Sequence, residues 1–420
     1  MEGTFVIGQI FWSSVGAVVY AYAGYPILLA IMARLRSGEA RAGNQAEAEP
    51  SDWPRVSLIF AAYNEAGVIR EKLMNSLDLE YPAEDLQIIV ASDGSDDETV
   101  AIAQSFEPRV TVLHSSERLG KMAAIARAMA IATGDVVLFS DANNLFDRDV
   151  VREIVAPFAD PEVGAASGSK VVVAGDGSLG EAEGTYWRYE SRIKAREWEL
   201  GCCTSVTGEI LAVRRSVYQP PPPGIINDDF YIGMRVIKAG YRIAYVPNAR
   251  SYERVSPSAA DEANRRSRIV AGRYQALMLL PQLLPVERPL IVWQVVSHKF
   301  MRPLVPLFMI AALIANVLAV VRPPRAAGLG SLVKLAPPIG ALTLAAQAGF
   351  YALAFAARGG RASGRPGLLR RLLYLPSFVV RSNIAALVGL ARYTRGRQGT
   401  RWERTARRTV DPSPAAPADA

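Results

Sequence analysis

The stretch IIVASDGSDDET at residues 88–99 decides the fold, because an apolar run ends there in a cluster of acidic side chains. VVLFSDANN at residues 136–144 repeats the arrangement, with Asp141 at the end of its apolar run. A third acidic cluster, GIINDDF, contains Asp228 and Asp229. Short apolar runs bounded by turn residues are typical of buried strands. Carboxylates at the ends of such strands indicate an α/β domain whose crevice can hold a nucleotide, a divalent metal and a reacting hydroxyl.

Strand and helix patterns alternate around these clusters from Pro54 onward. The strand-like runs VSLIFAAY, LQIIVAS, VTVLHS and DVVLFSD alternate with the helix-like runs NEAGVIREKLMNSL, DDETVAIAQSF and KMAAIARAMAIA. Such alternation predicts a largely parallel, doubly wound, Rossmann-like sheet. Ligands bind beyond the carboxyl ends of the strands in such sheets, where Asp93 and Asp141 are expected. Beyond Val150 the pattern loosens into a helix, YWRYESRIKAREWEL, whose aromatic side chains either pack normally or rest on lipid.

Both ends of the 420-residue chain are apolar enough to enter a membrane. Phe5 to Met32 is nearly free of charge and long enough to span a bilayer; a secretory signal is the alternative, but no clear cleavage site follows. We predict five parts along the chain: an N-terminal transmembrane helix at 1–36, a linker at 37–53, the α/β domain at 54–280, a membrane region at 290–392, and a basic tail at 393–420 whose end is disordered.

The C-terminal membrane region is predicted to contain two spanning helices, Leu304–Val321 and Leu335–Ala356. A third apolar stretch, Leu372–Ala391, carries Arg381 and Asn383 in its middle, so we expect it to lie in the interface or to re-enter. The formal charge of +7 gathers in basic segments beside the apolar ones. Because basic loops stay in the cytoplasm, we predict a multi-pass protein of the inner membrane with a cytoplasmic α/β domain.

The remaining composition excludes several classes of function. The basic residues flank apolar segments, which favours contact with membrane lipids and argues against nucleic acid as a partner. The two cysteines, Cys202 and Cys203, are adjacent, so they are predicted to be free thiols. The two histidines, His114 and His298, are far apart in the chain, and no zinc site is predicted.

Seven short motifs in order give the chain a resemblance to a known family. It resembles the membrane-embedded family-2 glycosyltransferases with the GT-A fold, including polysaccharide synthases. The resemblance runs from Val56 to Ala276, and the flanking helices and the tail motif WERTAR at Trp402 agree with it. The motifs are AAYNEA, ASDGS, LGKMAA, FSDAN, TGEILAVRR, NDDF and RRSRIVAG.

The resemblance implies a site for a UDP-sugar. Ala61, Tyr63 and Glu65 follow the first strand and, with Asp93 after the second, match positions that hold uracil and ribose. An acidic side chain can accept hydrogen bonds from the uracil N–H or the ribose hydroxyls. An Asp-Gly turn is the simpler explanation for Asp93 taken alone. Lys121 matches the lysine of a Gly-Lys motif, and its ammonium group would reach the diphosphate of the donor. The alternative is that Lys121 is a solvated lysine at the start of a helix.

The same resemblance implies a metal and a catalytic base. Asp141 and Asn143 stand at the family's Asp-x-Asp motif, where Mg²⁺ or Mn²⁺ binds, although Asn143 brings no charge. Asp229 matches the final acid of a Thr-Glu-Asp position and would take the proton of the acceptor hydroxyl. Asp228 would raise the pKa of Asp229 by repulsion between like charges. Asp229 also suits a helix N-cap, and one residue can serve both purposes.

The sequence RRSRI occupies the place of the family's Gln-x-x-Arg-Trp motif. Arg268 matches the arginine and would neutralise the leaving UDP, while Arg265 replaces the glutamine at the nucleotide-sugar site. Ile269 replaces the tryptophan, whose ring lies against the acceptor sugar in processive members, so processivity is in doubt. Gly208 and Glu209 resemble the stretch that lines the acceptor side.

The predicted function is that of an inverting glycosyltransferase that moves a sugar from a UDP-sugar to a growing polysaccharide. A single transfer to a lipid acceptor is the alternative, and it agrees with the altered Arg-x-x-Arg-Ile motif. A membrane protein that binds nucleotide sugars without turnover is the alternative from another class. No motif identifies the sugar.

Overall fold

A computed structural model describes residues 2–40, 53–173, 177–254, 259–356 and 368–396. Most of the predicted linker and tail, including the WERTAR motif, lies outside these residues. The helices are α1 Glu2–Val19, α2 Tyr25–Ala40, α3 Ile69–Leu77, α4 Thr99–Gln104, α5 Lys121–Met129, α6 Val150–Val155, α7 Gly177–Glu199, α8 Asp228–Lys238, α9 Ala259–Met278, α10 Leu280–Leu283, α11 Pro289–Val295, α12 Met301–Val321, α13 Leu329–Lys334, α14 Ile339–Ala356 and α15 Leu368–Thr394.

Eight strands form one sheet in the order β3-β2-β1-β4-β7-β6-β8-β5. Their bounds are β1 Val56–Ala62, β2 Leu86–Asp93, β3 Thr111–Ser115, β4 Val136–Asp141, β5 Leu145–Phe146, β6 Val163–Val172, β7 Leu211–Arg214 and β8 Arg242–Glu253. The first four strands in chain order are parallel, as predicted.

The other half of the sheet is less parallel than the sequence predicted. β7 runs antiparallel to both β4 and β6, and β5 runs antiparallel to β8. The chain leaves α7 through a loop at residues 200–210 and enters β7 from the edge of the sheet where β6 ends. β7 therefore runs in the direction opposite to β6. β7 has only four residues, too few to show this reversal as a pattern in the sequence. The α/β class with surrounding helices and apolar membrane helices is confirmed.

The sheet is buried on both faces because side chains alternate along each strand. Leu58 and Phe60 of β1 belong to one hydrophobic core, which α3 and α6 cover. Ile59 points to the other face and packs in a second core with residues of α5 and α8. Strands buried on both faces read as continuous apolar runs, which explains VSLIFAA. The acids that end β2 and β4 therefore come out at one edge of a rigid sheet.

Three helical segments are long and apolar enough to cross a membrane. Phe5–Arg36 contains α1 and α2, which continue through a π-helical turn at Tyr20–Gly24. Pro289–Val321 contains α11 and α12, joined by a second π turn at Val296–Phe300, and begins earlier than the predicted Leu304. The third segment is α14. α15 covers the stretch 372–391 and packs along α9, and its placement in the interface stays a prediction.

One link between the sheet and the N-terminal apolar helices is α7. This helix packs against β6 and β8 on one side and against α2 on the other. The hydroxyl of Tyr189 donates to the carbonyl of Tyr22 at 2.9 Å. Glu190, Lys194 and Glu197 on α7 are all buried. Tyr189 of α7 thus packs against the N-terminal helices.

Candidate active site

Lys121, the first residue of α5, links two of the acidic clusters. Its Nζ lies 2.9 Å from Oδ1 of Asp141 at the end of β4, and 3.9 Å from Oδ2 of Asp228 at the start of α8. Burial acts to lower the pKa of Lys121, but the two carboxylates outweigh it and raise that pKa above its ordinary value. Lys121 therefore stays charged and holds two acids that are far apart in the sequence.

Asp229, the second residue of α8, has an electrostatic environment that suits a proton acceptor. Desolvation and the neighbouring carboxylate of Asp228 raise the pKa of Asp229 above its ordinary value. The backbone N–H of Phe230 donates to Oδ1 of Asp229 at 2.7 Å and opposes this rise. Gly208 lies against the carboxylate, since a Cβ added there would be 3.0 Å from Cβ of Asp229. A carboxylate with a raised pKa can hold a proton briefly, as a general base must.

Two arginines extend this site onto α9. Burial lowers the pKa of Arg268, whereas the carboxylates of Asp228 and Asp141 raise it, so the guanidinium lies within electrostatic reach of both. Arg265 pairs with Glu262 one turn earlier on α9, with Nε 3.1 Å from Oε2. The structure therefore gathers the predicted acids, Lys121 and Arg268 from four separate elements.

Asp93 supports the loop that leads to Lys121. Its Oδ1 and Oδ2 accept hydrogen bonds from the backbone N–H groups of Leu119, at 3.1 Å, and Gly120, at 2.6 Å. Gly120 has φ of 101°, a conformation that favours glycine, immediately before α5 begins. Asp93 is thus a positioning residue for Lys121, which the sequence did not predict. Its contact with uracil or ribose stays a prediction.

The other predicted nucleotide-binding residues follow β1 at the same edge of the sheet. Ala61 is paired with Asp141 in the register of β1 and β4. The guanidinium of Arg118 stacks on the ring of Tyr63, 3.8 Å from the ring centre. The carbonyl of Glu65 accepts from the first N–H of α3 at 2.9 Å. These residues form a surface beside the acids, and their roles in binding a donor stay predictions.

Asn143 and Glu209 lie behind the acids in a buried layer of polar side chains. Nδ2 of Asn143 donates to Oε1 of Glu253 at 2.7 Å. Nζ of Lys170 donates to Oε2 of Glu209 at 2.6 Å and also to Glu253. Oε1 of Glu209 accepts from the hydroxyl of Ser251 at 3.0 Å. Glu209 therefore has a structural function in this layer, and its place on the acceptor side stays a prediction.

Asp141 is the carboxylate that the sequence assigned to a divalent cation, and this assignment stays a prediction. Among the described residues, no group of three or more His, Cys, Asp and Glu side chains could hold a metal ion by itself. Asp141 pairs with Lys121, and the amide nitrogen of Asn143 is committed to Glu253. The donor set fits Mg²⁺ or Mn²⁺ only if a bound diphosphate supplies further oxygen ligands, which these cations prefer.

Three buried lysines were not predicted from the sequence: Lys72, Lys170 and Lys194. Nζ of Lys72 donates to Oγ of Ser140 at 2.8 Å and lies 3.9 Å from the ring centre of Phe146. Burial lowers the pKa of Lys72 to about 7, although nearby carboxylates raise it. The sequence did carry a signal, because Lys72 lies on the same helical face as Ile69, where an apolar residue is expected.

Comparison with known proteins agrees with this architecture. Residues 57–219 match the family model described as Glycosyl transferase family 2, so this part of the chain is similar to that family. The N-acetylglucosaminyltransferase of Rhizobium meliloti (strain 1021) is 29% identical over 243 residues, which cover 54% of this chain and 56% of that protein. The poly-beta-1,6-N-acetyl-D-glucosamine synthase of Staphylococcus aureus (strain MSSA476) is 25% identical over 230 residues, covering 53% and 55%. The chain thus spans little more than half the length of these curated relatives.

A solved structure extends the likeness to most of the chain. The mannosyltransferase PcManGT from Pyrobaculum calidifontis, in complex with GDP-Man and Mn²⁺, superposes with a TM-score of 0.62 at 22% identity. The superposition covers 91% of this chain and 99% of that one, so it includes helices outside residues 57–219. This likeness confirms the predicted GT-A fold.

Proposed function

We propose that this protein is an inverting glycosyltransferase that transfers a sugar from a UDP-sugar to an acceptor at the inner face of a bacterial-type cytoplasmic membrane. The observation that supports the proposal is the meeting of Asp141, Lys121, Asp228 and Arg268, brought by β4, α5, α8 and α9 to one edge of the sheet. Cationic side chains beside acids can bind a diphosphate while leaving a carboxylate for the acceptor.

Asp229 acts as the general base in this proposal. Its carboxylate takes the proton of the acceptor hydroxyl while that oxygen forms a bond to the anomeric carbon. The bond between the anomeric carbon and the diphosphate oxygen breaks, and UDP leaves with that electron pair. Displacement from the opposite side inverts the anomeric carbon. The raised pKa of Asp229, caused by desolvation and by Asp228, favours proton acceptance. General-base catalysis contributes roughly 10²–10⁴-fold to the rate.

The leaving diphosphate is held by Lys121 and Arg268. Both are cations within reach of the acids, and each can donate to phosphate oxygens without loss of its own charge. Asp141 would carry Mg²⁺ or Mn²⁺ shared with the diphosphate, and such a cation supplies further neutralisation of the leaving group. The stacked side chains of Tyr63 and Arg118 offer a surface for the uracil ring of the donor, next to Asp93 and Ala61.

Two acceptors are candidates, and each has its own support. The names of the N-acetylglucosaminyltransferase and poly-N-acetylglucosamine synthase relatives favour a growing polysaccharide. A single transfer to a lipid is favoured by two cations between Asp229 and the membrane helices, the buried Lys194 and the partly exposed Lys299, which donate to hydroxyl groups. A cytoplasmic catalytic domain would set this junction at the inner leaflet. A C-terminal tag accessible from outside the cell would contradict that topology.

Release of nucleoside diphosphate from the purified protein tests the proposal. Membranes and purified protein are incubated with a panel of UDP-sugars, with GDP-mannose included, and the product is sized. We expect Asp229→Asn to lower UDP release by roughly 10²–10⁴-fold. Asp78→Asn is the matched control, because Asp78 pairs with Arg148 at the surface, where both side chains are 65% exposed. Equally slow release by wild type and Asp229→Asn would favour a nucleotide-sugar-binding protein without turnover.

A further inference from the structure

Lys299 links the π turn before α12 to the candidate active site. It belongs to the π turn Val296–Phe300, directly before α12, and its side chain is partly exposed. Its Nζ donates to the hydroxyl of Ser205, in the loop that leads from α7 to β7. The following residue, Phe300, contacts Phe230 edge-to-face with the ring centres 6.0 Å apart. Phe230 is the neighbour of Asp229, so this contact joins the segment that carries Lys299 to the segment that carries the proposed base.

Lys194 approaches the same loop from α7. Its Nζ donates to the hydroxyl of Thr207, and the next residue, Gly208, lies against the carboxylate of Asp229. The Lys194 side chain is only 2% exposed. Burial lowers the pKa of Lys194, and Asp229 is among the carboxylates that oppose this effect. Residues 205–208 of the loop thus contact the side chains of Lys299, Lys194 and Asp229.

Neither ammonium has a carboxylate within 4.0 Å among the described residues, in contrast to Lys121 and Lys170. Buried charges in proteins are normally paired with an opposite charge. Lys194 and Lys299 therefore form a cationic group at the boundary between the α/β domain and the membrane helices.

The acids closest to this group already serve other partners. Glu190 accepts from Nε2 of His298 at 3.0 Å and pairs with Arg302. Glu197 is bonded to Nδ1 of His298 at 2.7 Å and accepts from the hydroxyl of Tyr25 at 2.6 Å. These carboxylates hold α7, α2 and α12 together and are engaged by other groups. An anion from outside the chain is therefore the natural partner for the cationic group.

We propose that Lys194 and Lys299 bind the phosphoryl group of a membrane lipid that serves as the acceptor. The inference rests on the proposed function and names the acceptor class for it. Ammonium and guanidinium groups form short, charge-assisted hydrogen bonds with phosphoryl oxygens. Lys299 lies in the π turn that precedes α12, so the lipid chains can lie along α12 in the bilayer while the head group reaches the loop at residues 204–208.

In this proposal the phosphoryl group only binds the acceptor lipid to the protein, and the reaction leaves it unchanged. A hydroxyl of the same head group attacks the anomeric carbon, its proton passes to Asp229, and UDP leaves. Fixing the phosphoryl group orients that hydroxyl, which converts an encounter of two substrates into a step within one complex.

Binding of dodecyl phosphate to the full-length protein in a neutral detergent tests the proposal without requiring turnover. We expect wild type to bind dodecyl phosphate and not inorganic phosphate or dodecyl maltoside at equal concentration. Lys194→Met and Lys299→Met each remove a charge-assisted hydrogen bond, so affinity should fall roughly 10- to 100-fold. Lys299→Arg keeps the charge and should retain binding. Lys334→Met, at the end of α13, is the matched control for general attraction to a basic membrane surface.

Several outcomes would overturn the proposal. Equal affinity for inorganic phosphate would point to a free-anion site, and equal loss in Lys334→Met would point to surface charge alone. Unchanged affinity in Lys194→Met and Lys299→Met, with thermal unfolding confirming that both are folded, would also reject it. Asp229→Asn should bind dodecyl phosphate like wild type. Failure of binding with normal UDP release rejects only this inference, whereas normal binding without UDP release rejects the proposed function.

Discussion

Replacing Gly272 with alanine should separate the acids of α8 from the arginines of α9. Gly272 lies on α9, where Asn227, the residue before Asp228, packs against it. A Cβ at this position would lie 2.4 Å from Cγ of Asn227 and 2.7 Å from Nδ2. Carbon atoms in contact prefer a separation of about 3.5–4.0 Å, so the Asn227 side chain must retreat by roughly 1 Å. Its hydrogen bond to the carbonyl of Ile269, now 2.9 Å long, would break.

The expected effect on activity is larger than the effect on stability. Loss of the Asn227 hydrogen bond costs about 0.5–1.5 kcal/mol, and overpacking of a filled site costs about 1–3 kcal/mol. These effects overlap, so we expect the free energy of unfolding to fall by about 1–3 kcal/mol. A displacement of about 1 Å in a catalytic group can cost roughly 10²-fold in rate. Because Asp228 and Asp229 directly follow Asn227, we expect kcat/KM to fall roughly 10- to 100-fold.

The assay is steady-state UDP release, with thermal unfolding measured on the same samples. Gly349→Ala is the matched control, because a Cβ there meets no atom within 4 Å. The double variant Asn227→Ala/Gly272→Ala removes the atoms that clash, so it should be more active than Gly272→Ala alone. A double-mutant cycle measures this coupling between the two positions. Wild-type kcat/KM in Gly272→Ala, or additive losses in the double variant, would refute this reasoning.

Three further substitutions test the acids individually. Gly208→Ala adds a Cβ 3.3 Å from Oδ2 of Asp229, so kcat should fall with little change in KM for the donor in steady-state assays. Asp228→Asn removes the like charge that raises the pKa of Asp229; a base works only when deprotonated, so the acid limb of the kcat–pH profile should move to lower pH. Asp141→Asn should raise the Mn²⁺ concentration needed for half-maximal UDP release by about tenfold or more, since even groups outside the ligand set contribute that much. A Mn²⁺ dependence unchanged in that variant would contradict the metal assignment.

The buried polar layer explains how Asp141 is oriented. Oδ1 of Asn144, a fully buried residue, accepts from the backbone N–H of Asp141 at 3.2 Å and from the hydroxyl of Ser140 at 3.0 Å. Nδ2 of Asn144 donates to the hydroxyl of Ser251 on β8 at 2.7 Å. Lys72 adds its ammonium to the same layer through Ser140. The backbone at the end of β4 is thereby held by Asn144, which is bonded to β8, and by Ser140, which is bonded to α3, and this limits the motion of Asp141.

The active-site motifs show where sequence reasoning succeeds and where it stops. The resemblance led to Asp141, Asp228 and Arg268 as site residues, and the structure brings their side chains within electrostatic reach of one another. Their catalytic roles stay predictions. The sequence resemblance gave no indication that Asp93 supports the loop before Lys121. That contact depends on the path of a loop 26 residues further along the chain.

The sequence alone determined the α/β class, the strand-end acids and the segments apolar enough to cross a membrane. These properties are local, since the period of two along a strand, the period of 3.6 along a helix and a run of apolar residues can each be read within about 20 residues. The tertiary structure decided the reversed direction of β7, the burial of Lys72 and Lys194, and the joining of Lys299 to the loop beside Asp229. Each of these features depends on which segments, distant in the sequence, pack together in the fold. Whether a lysine is buried, and which group it pairs with, is set by the residues that surround it in space.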